Sequence, residues 1–407
     1  MVTHGERPRD TDDHWNTNLP KLRTPSQAPG VDAHYYANVV DDFYADSFGR
    51  DSLDDNGMQM ISSVHVLNRF CNAFWNGEQM AYGDGDGKTC ISLSGGLDVV
   101  GHELTHGVTQ FTSNLIYQDE SGALNEAFSD MMGNTIEFYA AARGLDPAAT
   151  PDWLIGEDVI LTPDVAPGFR NMGDPQEDAD PDHYSEFIVT TADNGGVHSN
   201  SGIPNHAYYL AVNGGKNAGC DAVGSNGHQH TADCDVTVPA LGVDRAAQIF
   251  FAGFTSLPEF ANMCDARNTT VAVAGADAAS TSAAWAAVGL KTGCTPGVPP
   301  PPACVGDANA QIPFESPHPY GNNGDCTWTY NNGTGGFAFH FSLLDTEQDF
   351  DFVIVSDGTG QQLIRYTGLF RRGATSPCIS TPTGSVRLTT DSSVVAQGFI
   401  VDSVVPC

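Results

Sequence analysis

The segment Asp98-Val-Val-Gly-His-Glu-Leu-Thr-His106 constrains this chain more than any other stretch of its sequence. His102 and His106 are four residues apart, so on a helix they lie one above the other and can put two imidazole nitrogens on one ion. Glu103 projects beside them, where a carboxylate can take the proton of a water activated by that ion. After nineteen intervening residues comes Glu126, a third ligand. Asp130, four further on, falls on the same helical face as Glu126 and can hydrogen-bond the far nitrogen of a ligand histidine. Three protein ligands with a fourth position left to water describe a catalytic zinc site, since structural sites are usually closed by four Cys or His side chains.

Other blocks keep this one company: Val31-Asp-Ala-His-Tyr-Tyr36, Ser62-Ser-Val-His65, Asn72-Ala-Phe-Trp-Asn-Gly77, Tyr82-Gly-Asp-Gly-Asp-Gly87, Pro181-Asp-His-Tyr184 and Asp193-Asn-Gly-Gly-Val-His198. In their order and content the chain resembles the thermolysin-like metalloendopeptidases, the M4 family, over most of its first 293 residues. The resemblance implies an α+β two-lobed catalytic domain: a truncated N-terminal β-rich lobe, a zinc helix between the lobes, and a mainly helical C-terminal lobe. It implies one zinc ion on His102, His106 and Glu126, with Asp130 behind His102 and Glu103 as general base. Tyr117 and His198 would stabilise the developing oxyanion, and Asp193 would orient His198. Taken by itself, a histidine in an Asn-Gly-Gly loop reads as a surface turn residue.

The same resemblance assigns substrate contacts. Asn72 and the backbone of Ala73 would hold a peptide as an added strand, and Arg170 would contact a carbonyl on the primed side. Leu93, Val99, Ile155 and Phe169 would line the pocket for the residue after the scissile bond, where a charged side chain would be desolvated without a partner. Phe169 stands where relatives commonly carry leucine, so the expected pocket is shallower and prefers Leu, Val or Ile over Phe. Asp98, Glu137, Asp152 and Glu157 match acidic positions of the family's calcium site, and oxygen ligands in this number suit a hard cation. An enlarged loop between Glu137 and Asp152 leaves the number of ions at one or two.

Charge and cysteine content set the surroundings. The 407 residues carry 50 acidic against 17 basic side chains, a formal net charge of −33 that would be repelled by a phosphate backbone and so argues against nucleic acid. Ten cysteines, none in a Cys-x-x-Cys pair, are compatible with five disulfides and an oxidising compartment. Proximity in sequence suggests Cys71 with Cys90, Cys220 with Cys234, Cys264 with Cys294, Cys304 with Cys326, and Cys378 with Cys407. No run of eighteen apolar residues exists, so no membrane span is expected. Met1-Val-Thr-His-Gly-Glu lacks the hydrophobic stretch of a signal peptide, although secreted relatives begin with a signal and a propeptide. The expectation is a secreted monomer whose chain begins late, as a fragment or from a misplaced start.

The length suggests two or three domains. Residues 1–30 are polar and weakly patterned. Residues 31–98 mix an early helix with short strands and Gly-Asp turns, and 1–97 would be the N-terminal lobe remnant of a peptidase domain spanning 1–294. From 98 to 294 the pattern is mainly helical, interrupted at Cys220–Cys234 by an insertion whose His228-Gln-His230 reads as an exposed glycine-rich loop. Thr295-Pro-Gly-Val-Pro-Pro-Pro-Pro-Ala303 is a linker, able to separate modules by roughly 25 Å at about 3.1 Å per residue.

Residues 304–407 alternate apolar and polar in runs such as Phe337–Phe341, Phe352–Val355 and Gly398–Val401, which predicts an all-β sandwich. Cys326-Thr-Trp328, Asp349–Gly358 and Thr390-Asp-Ser-Ser393 resemble a CUB domain, without its usual third cysteine and with the last pair shifted. That resemblance implies calcium at Asp345, Asp351 and Asp391, and protein or carbohydrate as ligand. The whole predicts a zinc-dependent, calcium-stabilised endopeptidase acting on protein or peptide substrates. The competing classes are a catalytically silent peptidase fold or adhesin acting through its tail, and a zinc aminopeptidase.

Overall fold

The computed structural model describes residues 27–146, 150–162, 167–190, 192–217, 219, 232–296, 306–318, 320–321, 324–348, 350–390 and 396–407. Asp391, Cys220, Cys304, His228 and His230, and most of the proline-rich linker, lie outside them. The chain divides into two compact units, Met1–Gly297 and Val298–Cys407. Among the described residues no helix is long and apolar enough to cross a membrane.

The first unit opens with helix α1 (Ala28–Phe48), which has Pro29 in its first turn and ends at Gly49 in the left-handed conformation that closes helices. Its buried face, Ala33, Ala37, Val40 and Tyr44, follows the helical period. Tyr44 Oη and Thr105 Oγ1 share a buried hydrogen bond of 2.6 Å that ties α1 to the zinc-motif helix. A small sheet follows, with β1 (Ser62–Ser63) parallel to β3 (Met80–Tyr82) and β2 (Ala73–Trp75) antiparallel to β3. Strand β2 forms its edge.

Two long helices make the centre. α2 (Leu97–Gln110) carries Asp98, His102, Glu103 and His106, and α3 (Asp119–Arg143) carries Glu126, Asp130 and Glu137. They touch through glycines. A Cβ on Gly101 would stand 3.0 Å from Gly133 Cα and 2.8 Å from Ile136 Cδ1, and one on Gly133 would stand 2.6 Å from the Asp98 carbonyl. Only at that approach can side chains from both helices meet around one point.

Beyond α3, the strand pair β4 (Leu154–Ile155) and β5 (Arg170–Asn171) precedes helices α4 (Asp193–Asn200), α5 (Gly202–Asn213), α6 (Val243–Phe254), α7 (Met263–Val273) and α8 (Ala278–Ala287). Burial of Ala246, Ile249, Phe250, Gly253 and Phe254 gives α6 one apolar face. That face stacks Phe250 against Trp285 and Phe254 against Phe128, joining the helical lobe to α3.

The second unit is a sandwich of two four-stranded antiparallel sheets. One has the order β10 (Gln362–Tyr366), β9 (Phe352–Asp357), β12 (Thr383–Thr389), β7 (Asp325–Asn331); the other runs β11 (Ala374–Thr375), β8 (Phe337–Asp345), β13 (Gly398–Pro406), β6 (Phe314–Glu315). Val353, Val355, Val386 and Leu388 from the first sheet and Phe339, Phe341, Phe399 and Val401 from the second share one core. The alternation of period two in the sequence is thus a row of inward side chains on each strand. Disulfides join Cys71 to Cys90, Cys264 to Cys294, and Cys378 to Cys407.

Candidate active site

His102, His106 and Glu126 converge where α2 crosses α3, each offering one ligand atom within 4.8 Å of the others. The two Nε2 atoms are 3.0 Å apart, and they lie 3.4 and 3.3 Å from the Glu126 oxygens. The far nitrogens are engaged elsewhere: His102 Nδ1 donates to Asp130 Oδ1 at 2.8 Å and His106 Nδ1 to Asn125 Oδ1 at 2.8 Å. With Nδ1 engaged in this way on both rings, the two Nε2 atoms face one point and can offer their lone pairs there to an ion that displaces the remaining proton. Glu126 is fully buried, and its Oε2 has no hydrogen-bond partner. Two facing lone pairs and an orphaned buried carboxylate oxygen fit a bound cation, and nitrogen with carboxylate donors in this number suit zinc.

Electrostatics agree. Burial alone would raise the Glu126 carboxyl, but His198, His102 and His106 hold it well below its ordinary range. Burial alone would lower His106, yet its bond to Glu126 and the charges of Glu126 and Glu103 push it up to about 9, so the Nε2 proton sits where a bound cation would take its place. Asp130 receives Arg170 Nε and Nη2 at 2.7 and 2.6 Å and Asn205 Nδ2 at 2.7 Å, and despite burial it stays ionised through Arg170 and His102. Arg170 is therefore bound to Asp130, and its Nη2 stands 3.7 Å from Glu126 Oε2.

Glu103, next to His102 on α2, accepts the backbone N–H of Trp75 at 3.1 Å. This link follows from strand geometry. The Asn72 carbonyl accepts from Gly83 and the Asn76 amide donates to Gln79, so those residues turn their backbones toward β3. Alternation leaves the N–H and C=O groups of Ala73 and Trp75 facing away from β3, where Asn72 Oδ1 accepts the Ala73 amide at 3.0 Å. One of those groups holds the carboxylate.

Tyr117 lies between α2 and α3 and donates to Glu126 Oε1; its Oη is 3.3 Å from His198 Nε2. Burial first, then Glu126, raises the Tyr117 phenol well above its ordinary value, so it stays a protonated donor. Before His198 the chain passes through Asp193, Asn194, Gly195 and Gly196, all at positive φ. That turn folds Asp193 back so that its carboxylate accepts His198 Nδ1–H at 2.7 Å and the His198 amide at 3.0 Å.

Leu93, Val99 and Ile155 are buried, while Phe169 is 37% exposed. The Phe169 amide donates to the Ile155 carbonyl at 2.6 Å, and its ring lies against Gly156, where a Cβ would come within 2.2 Å of it. At φ +80° Gly156 is in the region glycine favours, so the bulky ring and the glycine are matched.

A second cluster stands at the other end of the α2–α3 contact. Glu137, Glu157 and Asp158 each bring an oxygen within 4.8 Å of the others. Asp98 accepts the Gly156 amide, but its Oδ1, both oxygens of Glu137 and Glu157 Oε2 are buried without partners. Burial, then mutual repulsion, pushes Glu137 up to about 11 and Glu157 up to about 9; burial takes Asp98 to about 6. Asp152 adds to the charge felt by Glu137 and Glu157, and its Oδ1 accepts the Leu154 amide at 2.7 Å. Sequence reasoning named Asp98, Glu137, Asp152 and Glu157 but missed Asp158, which adjoins Glu157 in the same turn. It also missed Asn125 and the Trp75 amide.

Two family models match in succession: the thermolysin metallopeptidase catalytic domain over residues 2–110 and its alpha-helical domain over residues 113–290. Among solved structures, the precursor of protealysin, a metalloproteinase from Serratia proteamaculans, matches with a TM-score of 0.55 and 32% identity, over 70% of this chain and 83% of that one. The chain belongs to the thermolysin metallopeptidase family. Bacillolysin of Bacillus cereus is 48% identical over 228 residues, 56% of this chain and 36% of that protein. A thermostable neutral protease of Geobacillus stearothermophilus is 48% identical over 238 residues, 58% of this chain and 39% of that protein. The chain spans less than half the length of these curated relatives. Its thermolysin-family portion holds the zinc-type cluster, the edge strand and the acidic cluster.

Proposed function

We propose that this chain is a secreted, zinc-dependent endopeptidase that cuts internal peptide bonds on the amino side of hydrophobic residues. The observation that carries the reading is the pair of facing Nε2 atoms beside the buried Glu126 carboxylate, whose Oε2 has no hydrogen-bond partner. His102, His106 and Glu126 would hold the zinc, which when bound lowers the pKa of a water toward 7 and polarises a carbonyl. Glu103 takes the proton of the attacking water and delivers it to the leaving amine. The Trp75 amide holds Glu103 for that task. Tyr117 and His198, the latter backed by Asp193, donate to the oxygen that gains charge.

The open edge at Ala73, next to Asn72, suits a substrate added as a strand, and Arg170 lies near enough to Glu126 to meet a carbonyl on the primed side. Leu93, Val99, Ile155 and Phe169 make the pocket apolar, and Phe169 makes it shallow. Calcium would bind at Glu137, Glu157 and Asp158 with Asp98 and Asp152, where, among the described residues, buried oxygens of Asp98, Glu137 and Glu157 have no hydrogen-bond partner. The three disulfides among the described residues favour an extracellular setting. For the sandwich we infer a CUB-like module binding protein or carbohydrate. There Asp351 is buried and accepts Tyr320 Oη at 2.5 Å; Asp345 closes β8.

Cleavage sites in a peptide library, mapped by mass spectrometry, test this reading. Internal cuts before Leu, Val or Ile are expected. Stepwise loss of amino-terminal residues would mean an aminopeptidase, and enrichment of Lys, Arg, Asp or Glu after the cut would refute the pocket. An intact library over a folded, zinc-loaded protein would mean a silent fold.

A further inference from the structure

The edge strand β2 is held at both ends by groups that the reaction itself does not use. At its start, Cys71 immediately precedes Asn72 and is bonded to Cys90. Cys90 is itself anchored: it is fully buried, it bridges to Ile160, and the flanking Thr89 and Ile91 exchange backbone bonds of 2.7 and 2.9 Å with Leu161 and Val159. At its end, the Trp75 indole Nε1 donates to Gln110 Oε1 at 2.7 Å, and Gln110 Nε2 donates to the Gly77 carbonyl at 3.2 Å. Gln110 closes α2, the helix that bears Glu103.

The segment leading into the strand needs such restraint. His65, Leu67 and Arg69 all occupy the left-handed region, at φ 61, 58 and 57°, which costs a side-chain-bearing residue energy unless its surroundings enforce it. Leu67 is 70% exposed and supplies no packing to hold that shape. The Gly85 amide on the Phe70 carbonyl, the His65–Asp84 pair and the disulfide enforce it instead. Released from Cys90, the segment could relax toward ordinary backbone and carry Asn72 and Ala73 away from the zinc helix.

We propose that the Cys71–Cys90 disulfide and Gln110 are positioning residues, which clamp the edge strand at the distance from α2 that an incoming peptide strand requires. The inference rests on the peptidase reading for what the strand binds. Its energetic basis is preorganisation: an edge fixed before binding loses less freedom when a peptide adds to it. The clamp therefore acts on ligands that reach across the edge strand and spares those confined to the metal and the primed side.

Calorimetric titration of the zinc-loaded full chain with two ligands tests it. One is an uncleavable reduced-amide hexapeptide with three residues on each side of the replaced bond. The other is a leucine hydroxamate confined to the metal and the primed side. Cys71→Ala with Cys90→Ala should weaken the hexapeptide about tenfold and the hydroxamate less than about twofold, and Gln110→Ala should weaken the hexapeptide about threefold. Cys264→Ala with Cys294→Ala, which removes a disulfide from the helical lobe, should leave the ratio of the two affinities unchanged. Equal weakening of both ligands in the Cys71/Cys90 variant, or no change in either, overturns the clamp. If that variant does not fold, exposed Gln110 decides, and an unchanged affinity ratio in Gln110→Ala overturns the clamp. A wild-type protein that binds the hexapeptide but cleaves nothing sinks the peptidase reading while the clamp is still judged by binding; one that binds neither ligand overturns both.

Discussion

The two charge clusters shared by α2 and α3 differ in what balances them. Around His102, His106 and Glu126 every charge has an answer within the protein: Asp130 pairs with His102 and Arg170, Asn125 receives His106, and Glu126 is ringed by imidazoles. Around Glu137, Glu157, Asp158 and Asp98 the sign is uniform, and among the described residues no basic side chain bonds to any of the four. The first cluster is built to keep its shape and wait for an ion. The second has no shape-keeping charge of its own, so the lobe around it should depend on a cation. On the proposed reading, losing the metal should cost chemistry in one place and stability in the other.

The largest effect should come from Glu103→Gln. The amide cannot accept a proton, so turnover should drop about 10²- to 10⁴-fold, with bound zinc unchanged by elemental analysis. His198→Ala should cost less, since Tyr117 still donates at the same place. Proteolysis surviving Glu103→Gln would remove the assigned base.

Asp130→Asn comes next and probes the support of the first cluster. Loss of the carboxylate behind His102 should weaken zinc about 10- to 100-fold, read by competition with a chelator. An unchanged affinity would mean that the ligands hold their geometry without that partner.

The second cluster should show itself through pH. Without calcium, Glu137, Glu157 and Asp98 have folded-state values of about 11, 9 and 6, above their ordinary carboxylate values. Such groups contribute stability that is complete below the unfolded value and is lost as pH rises through the folded one. The Tm of the calcium-stripped protein, with zinc retained, should fall from pH 5 toward pH 9. With calcium bound the carboxylates are ionised, protons compete with the ion, and the Tm should instead rise from acid to neutral pH. Parallel curves in the two conditions would erase the contrast between the clusters.

The smallest effect concerns the pocket. Phe169→Leu should deepen it and raise kcat/KM for Phe after the cut, relative to Leu, by about tenfold, the scale of a methylene-sized misfit or two. No shift in that ratio would mean that the ring against Gly156 does not bound the pocket.

Much of the zinc-type cluster was legible because helical spacing translates directly into shared faces: His102 above His106, and Glu126 with Asp130. The sandwich was legible for a similar reason, since inward residues such as Val353 and Val355 recur every second position. Backbone groups leave no such trace. The Trp75 amide on Glu103 depends on which edge of β2 is open, and that is known only once the Asn72 and Asn76 pairing is known. Asn125 looked like one polar residue among many until α2 and α3 met at Gly101 and Gly133. Asp158 was hidden for another reason: next to Glu157 it reads as a neighbour on a surface turn, and only the turn's geometry brings both toward Glu137.

Casein hydrolysis by the full chain, followed as purified, after zinc is chelated with calcium kept in excess, and after zinc is restored, tests the central claim most directly. Fragments should appear, cease and reappear, while the Tm holds close to its starting value because the acidic cluster stays loaded. Proteolysis that continues without zinc, or a folded, zinc-loaded protein that never cuts, would contradict it.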